Sequence, residues 1–146
     1  MMRRTALVIS ALALGACAHT APRYVAMAGP TARPFSAAVV ANGMIYLSGQ
    51  LGIDSMGKFP PGGIGPETKM ALENIKALLA QQGASMSDVV KCTVMLADIQ
   101  EWAAMNAVYV TYFPKDPPAR SAFGTSGLAL GGRVEIECIA AVPEKH

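Results

Sequence analysis

The sequence predicts an α+β domain in which a mixed or antiparallel sheet carries both of its helices on one face. Three observations predict it. Short runs of alternating apolar residues are separated by turn residues, two longer stretches repeat apolar residues every three or four positions, and no segment repeats internally. With 146 residues, 52% hydrophobic and 15% charged, the chain has enough apolar surface for one core and too much for a disordered segment.

The elements follow in order. Ala37–Ala41 and Met44–Leu47 form a hairpin, because Asn42-Gly43 between them supplies the positive φ values of a tight turn. Ser48-Gly49-Gln50 ends the second strand. Met56 to Pro66 is a flexible loop whose Gly62-Gly63-Ile64-Gly65 cluster lacks the spacing and the following Lys-Ser/Thr of a phosphate cradle. A first helix runs from about Glu67 to Gln82: Ala71, Leu72, Ile75, Leu78 and Leu79 share one stripe, Pro66 suits the first turn, and Gly83 suits the stop. Val89–Ala97 is a strand with Val90, Cys92, Val94 and Leu96 on one side. Asp98-Ile99-Gln100-Glu101 has the pattern of a capping box and opens a second helix, in which Ile99, Trp102, Met105, Tyr109 and Tyr112 recur at helical spacing until Phe113-Pro114. A strand starts at Arg120, a Gly-rich turn spans Gly124 to Gly132, and Arg133–Val142 is the last strand. That strand puts Val134, Ile136, Cys138 and Ala140 on one side and Glu135, Glu137, Ile139 and Ala141 on the other. Two helices can bury only one such face, so a second copy of the chain is expected on the other.

Residues 1–18 read as an address. Met-Met-Arg-Arg precedes a nine-residue run from Ala6 to Leu14, which is too short to span about 30 Å of hydrocarbon and fits a secretory signal. Leu14-Gly15-Ala16-Cys17 resembles a bacterial lipobox, which would put a lipid on Cys17 and hold the protein to a membrane through that lipid alone. Cleavage after Ala18 is the competing reading. Residues 19–33 read as a tether and 34–146 as the folded domain. The expected location is the periplasm, anchored to the outer membrane if Cys17 is lipidated. In that oxidising compartment Cys92 and Cys138 are read as two small buried hydrophobes, with a disulfide between neighbouring strands not deducible.

Charge and composition exclude several chemistries. The chain carries 12 Lys+Arg and 10 Asp+Glu, and Arg3 and Arg4 account for the excess, so the mature protein has no electrostatic footprint for nucleic acid. Its two histidines, His19 and His146, lie in the tether and at the last position, which removes imidazole-based nucleophiles and metal sites from consideration. No C-x-x-C or Cys/His cluster is present. The polar residues left in apolar surroundings are Arg120, Glu135, Glu137, Asn106, Ser48 and Thr93. If the strands bearing Arg120 and Glu135 are neighbours, a guanidinium and a carboxylate line one cleft.

Leu47-Ser48-Gly49-Gln50, Ala71-Leu72-Glu73-Asn74-Ile75, Met105-Asn106-Ala107-Val108-Tyr109, Pro118-Ala119-Arg120-Ser121 and Val134-Glu135-Ile136-Glu137-Cys138-Ile139-Ala140 together resemble the RidA/YjgF family over about Pro34 to Val142. The resemblance implies a chorismate-mutase-like protomer, a homotrimer with a ligand cleft at each subunit interface, and hydrolysis of reactive enamine/imine intermediates to 2-oxo acids and ammonia without metal or cofactor. It assigns Arg120 and Glu135 as catalytic, with Ser48, Gly49, Asn106, Phe35 and Ala122 as substrate-binding positions. The chemistry is coherent: a guanidinium fork binds the carboxylate of a 2-imino acid at two points, and a carboxylate deprotonates the attacking water. Two departures bear on substrate range. Arg33-Pro34-Phe35 replaces the Gly-Pro-Tyr frequent in the family, and Ala122 stands where Cys is frequent.

Other readings remain open at this level. Arg120 would serve equally as a strand-end ion pair with Glu135 or Glu137, Ser48 as a turn former, Asn106 as a subunit contact, and the Trp102/Tyr109/Tyr112 stripe as packing. A non-catalytic periplasmic module binding small carboxylates, or a ribonuclease, are the alternative functions.

Overall fold

Asn42 and Gly43 take φ values of 51° and 74°, as the hairpin requires, and join strands β2 (Ala38–Ala41) and β3 (Met44–Leu47) in antiparallel register. The computed structural model describes residues 21–27 and 33–144, so Cys17 and both histidines lie outside the described residues. The remaining elements are β1 (Arg23–Val25), β4 (Gln50–Leu51), α1 (Ile64–Gln81), β5 (Val89–Leu96), α2 (Trp102–Tyr109), β6 (Ala119–Gly124) and β7 (Val134–Ala141), with single 3₁₀ turns before and after α2. They build one sheet in the order β1-β2-β3-β7-β5-β6, with β4 also pairing with β7. Of these pairs, β5–β6 is parallel, because α2 crosses between its strands; the rest are antiparallel. The fold is the expected mixed α+β sheet with both helices on one face.

The core lies between the helices and that face. Leu72, Ile75 and Leu79 of α1 and Met105 of α2 meet Ile45, Val94, Leu96, Val134 and Ile136, all fully buried. Alternation along β7 is the expected one: Val134, Ile136, Cys138 and Ala140 face inward, while Glu135 and Glu137 face away. The uncovered face holds Tyr46, Lys91, Thr93, Glu137 and Ile139 around a cavity of about 210 Å³.

Five expectations are corrected. The helix begins at Ile64 rather than Glu67, because Ile64 is buried against the core and its carbonyl accepts the Thr68 hydroxyl at 2.7 Å, so the glycine cluster runs into the first turn. Val90 is exposed rather than aligned with Cys92: a bulge between Val89 and Lys91 shifts the β5–β7 register, and Val89 takes the inward place. Glu101 does not close a capping box. Asp98 accepts the Gln100 backbone N–H at 2.9 Å, and the Glu101 carboxylate is taken by Arg133 at 2.6 Å. Within the segment read as a tether, Arg23–Val25 is an edge strand paired with β2, and Arg23 Nη1 donates to the Gln82 side chain at 2.8 Å. Finally, Cys92 and Cys138 are directly opposed on β5 and β7, with Cα atoms 4.1 Å apart, and are joined in a disulfide.

Candidate active site

Arg120 stands on β6 at one edge of the sheet, in register with Cys92, and therefore points to the face that the helices cover. Its Nη1 donates to Asn106 Oδ1 at 2.8 Å. Its guanidinium carbon lies over the Tyr109 ring, 4.5 Å from the centroid, and 5.5 Å from that of Trp102. All three partners are neutral. The ion pairs among the described residues join Lys76 to Glu73 and Arg133 to Glu67 and Glu101, so Arg120 is not the strand-end partner of Glu135 or Glu137. A cavity of about 320 Å³ opens on Arg120 between Asn106, Phe113, Pro117 and Pro118. Tyr109 is buried, and its hydroxyl has no hydrogen-bond partner among the described residues. Burial, opposed by the Arg120 charge, pushes its pKa up to about 12, so it remains protonated at neutral pH.

Glu135 faces the other way. It follows the inward Val134 on β7, and β5 lies between β7 and β6. Arg120 and Glu135 therefore sit on opposite faces of the sheet, and the expectation that neighbouring strands bring them into one cleft of one protomer is corrected. The Glu135 carboxylate lies in a second cavity, of about 300 Å³, with Phe35, Gly49, Gln50, Leu51 and Leu130 on its walls and Arg33 at its margin. Burial, and secondly the negative charge of Glu137 two residues along the same face, hold its pKa above the ordinary carboxylate value. Gly49 is indispensable to this placement: a Cβ there would occupy the position of the Glu135 carboxylate.

The other expected site residues divide between the two cavities. Asn106 belongs to the Arg120 cavity; Phe35, half exposed, and Gly49 belong to the Glu135 cavity. Ser48 is not on either wall. Its hydroxyl donates to the Ser36 carbonyl at 2.7 Å and thereby holds the segment that carries Phe35. Ala122 packs against the core on the same face as Arg120 and brings no polar group.

A family model described as Endoribonuclease L-PSP matches residues 26–142. The chain belongs to the RidA/YjgF/L-PSP family. A goat (Capra hircus) protein named 2-iminobutanoate/2-iminopropanoate deaminase is 49% identical over 108 residues, which are 73% of this chain and 79% of the goat protein. The structure of RidA from the Antarctic bacterium Psychrobacter superposes with a TM-score of 0.73 at 36% identity, covering 79% of this chain and 94% of that one. The YjgF gene product from E. coli gives 0.72 at 30% identity, covering 82% and 94%.

Several residues around the two cavities of this RidA-family protein escape a reading of the sequence. Gln50 lines the Glu135 cavity and turns its side-chain amide onto the Ser48 and Gly49 carbonyls at 2.9 and 3.2 Å. Asn74 donates to the carbonyls of Leu51 and Ile53 at 3.1 and 3.0 Å, fixing the loop after β4 against α1. An amide beside the apolar stripe of a helix is the signal that could have found Asn74. Leu130 lines the same cavity with φ of 57°, a strained value for a leucine, and is largely exposed. Nothing in the local pattern of the Gly-rich turn announces it.

Proposed function

We propose that this RidA-family protein hydrolyses 2-imino acids such as 2-iminobutanoate and 2-iminopropanoate to 2-oxo acids and ammonia, at sites completed between copies of the chain. The observation that carries the reading is Arg120. A guanidinium held, among the described residues, by neutral partners at the mouth of a cavity keeps its full charge for an incoming carboxylate. In the reaction, water adds to the protonated C=N carbon as Glu135 accepts its proton, and the C=N electron pair moves to nitrogen. Glu135 returns that proton to the amine. The Glu135 carboxylate then takes the hydroxyl proton as the C–N bond breaks and its electron pair leaves with nitrogen, giving the 2-oxo acid and ammonia, and Glu135 passes that proton to solvent.

Because Arg120 and Glu135 occupy different faces, one protomer cannot present both to one substrate. A homotrimer in which the Arg120 cavity of one copy meets the Glu135 cavity of the next supplies the missing half, and the uncovered sheet face offers surface for the contact. Export to the periplasm with a lipid on Cys17 is part of the same proposal, and the Cys92–Cys138 disulfide supports an oxidising compartment. Mass spectrometry of the mature N-terminus decides between lipidation of Cys17 and cleavage after Ala18.

The test of the reaction is ammonia release from a 2-imino acid generated in situ by an amino-acid oxidase. The intact protein is expected to accelerate it, and Arg120→Ala to lose about 100-fold in kcat/KM, the worth of two charge-assisted hydrogen bonds. Equal rates for the two would overturn the mechanism. Binding of a 2-oxo acid without turnover would favour the small-carboxylate module. Cleavage of an RNA ladder would favour a nuclease, for which these cavities lack a run of cationic residues.

A further inference from the structure

Trp102, Asn106 and Tyr109 stand at i, i+4 and i+7 of α2, so they form one stripe of that helix, and all three meet the guanidinium of Arg120. A periodicity that reads as packing thus has a second content. A free arginine side chain carries several rotatable bonds, and ordering it on each binding event would weaken its grip on a ligand. Here Asn106 Oδ1 holds one edge at Nη1, while the guanidinium carbon lies over both ring faces. The Nε–Nη2 edge makes no hydrogen bond among the described residues. We propose that Trp102 and Tyr109 are positioning residues whose ring faces fix the plane of the Arg120 guanidinium, so that its unoccupied edge meets the substrate carboxylate already oriented. This rests on the deaminase reading above and adds to it the residues that set the carboxylate grip.

The Tyr109 hydroxyl takes no part. It is buried without a partner among the described residues and stays protonated, so the ring is the working group. Trp102, by contrast, is 40% exposed, and its replacement leaves the core intact. Phe113 packs against Tyr109 with its ring tilted by 40°, at 4.9 Å between centroids, and helps to keep that ring in place.

The experiment measures 2-oxobutanoate binding by calorimetry and imine hydrolysis by ammonia release, on the full protein with folding checked by circular dichroism. Trp102→Leu is expected to raise both Kd and KM about three- to tenfold with kcat nearly unchanged, as for loss of an interaction made equally in ground and transition states. Trp102→Phe is expected to restore most of the affinity, and Tyr109→Phe to bind as tightly as the intact protein. If Trp102→Leu binds as the intact protein does, or if Tyr109→Phe loses affinity as Trp102→Leu does, the inference is overturned while the deaminase reading stands. If the intact protein neither binds 2-oxobutanoate nor releases ammonia, the deaminase reading falls and the inference falls with it.

Discussion

The carboxylate of Glu135 rests directly on the backbone of Gly49, in the space that any side chain at that position would fill. Gly49 has no positive φ, so its value here is room and not backbone freedom. Gly49→Ala is therefore expected to fold, to displace Glu135, and to lower kcat by about tenfold or more, since a misplaced base forfeits much of the contribution of general base catalysis. Ammonia-release kinetics beside a thermal melt separate that loss from unfolding.

The pH dependence follows from the same carboxyl. Burial and the charge of Glu137 hold it above its ordinary value of 4.5, so the folded state keeps this proton to higher pH than the unfolded chain does. The stability it contributes is complete below the unfolded value and is lost as pH rises through the folded one. Activity runs oppositely, because only the ionised carboxylate can accept a proton. Glu137→Gln removes the smaller of the two causes and is expected to move the acid limb of kcat/KM to lower pH. An unmoved limb would count against Glu135 as the titrating base.

The proposed division of the site between copies predicts complementation. Arg120→Ala and Glu135→Gln are each expected to keep only about a hundredth of the activity or less alone. Mixed in equal amounts and reassembled, they regain about a quarter of the sites, because one pairing in four joins an intact Arg120 to an intact Glu135 across a contact. A protomer holding both groups in one cleft would regain nothing, so ammonia release from the mixture is decisive.

Reducing the Cys92–Cys138 disulfide is expected to cost about 2–4 kcal/mol of stability, since the cross-link restrains the unfolded chain across 46 positions. Both cysteines are fully buried, so reductant acts only after the sheet opens. Denaturant midpoints of the oxidised and reduced forms give the difference. Equal midpoints would show that the disulfide carries no part of the stability.

What could be read before the fold was known was local. Asn42-Gly43 announces its hairpin because turn chemistry acts over two residues, and the alternation of Val134 to Ala141 announces an inner and an outer face because pleating has a period of two. Sheet order is a different kind of information. That β5 lies between β6 and β7, and that Cys92 faces Cys138, are settled by packing of distant segments, which no window of sequence contains. The bulge that turns Val90 outward, and the pairing of Arg23–Val25 with β2, are consequences of the partner strand rather than of the segment itself. At the site, the types and positions of Arg120 and Glu135 were legible, but their separation was not. Trp102 and Tyr109 were legible as a stripe, while their target on β6 was not.

Two patches that look in opposite directions do not fit within a single two-fold contact, where each partner must show the same surface to the other. On the proposed division of the site, each copy that lends its guanidinium to one neighbour lends its acid to another, and contacts would run head to tail around a circle. Closure is what leaves no group idle: an open row would strand a lone cation at one end and a lone acid at the other, whereas a ring has as many complete reaction chambers as members.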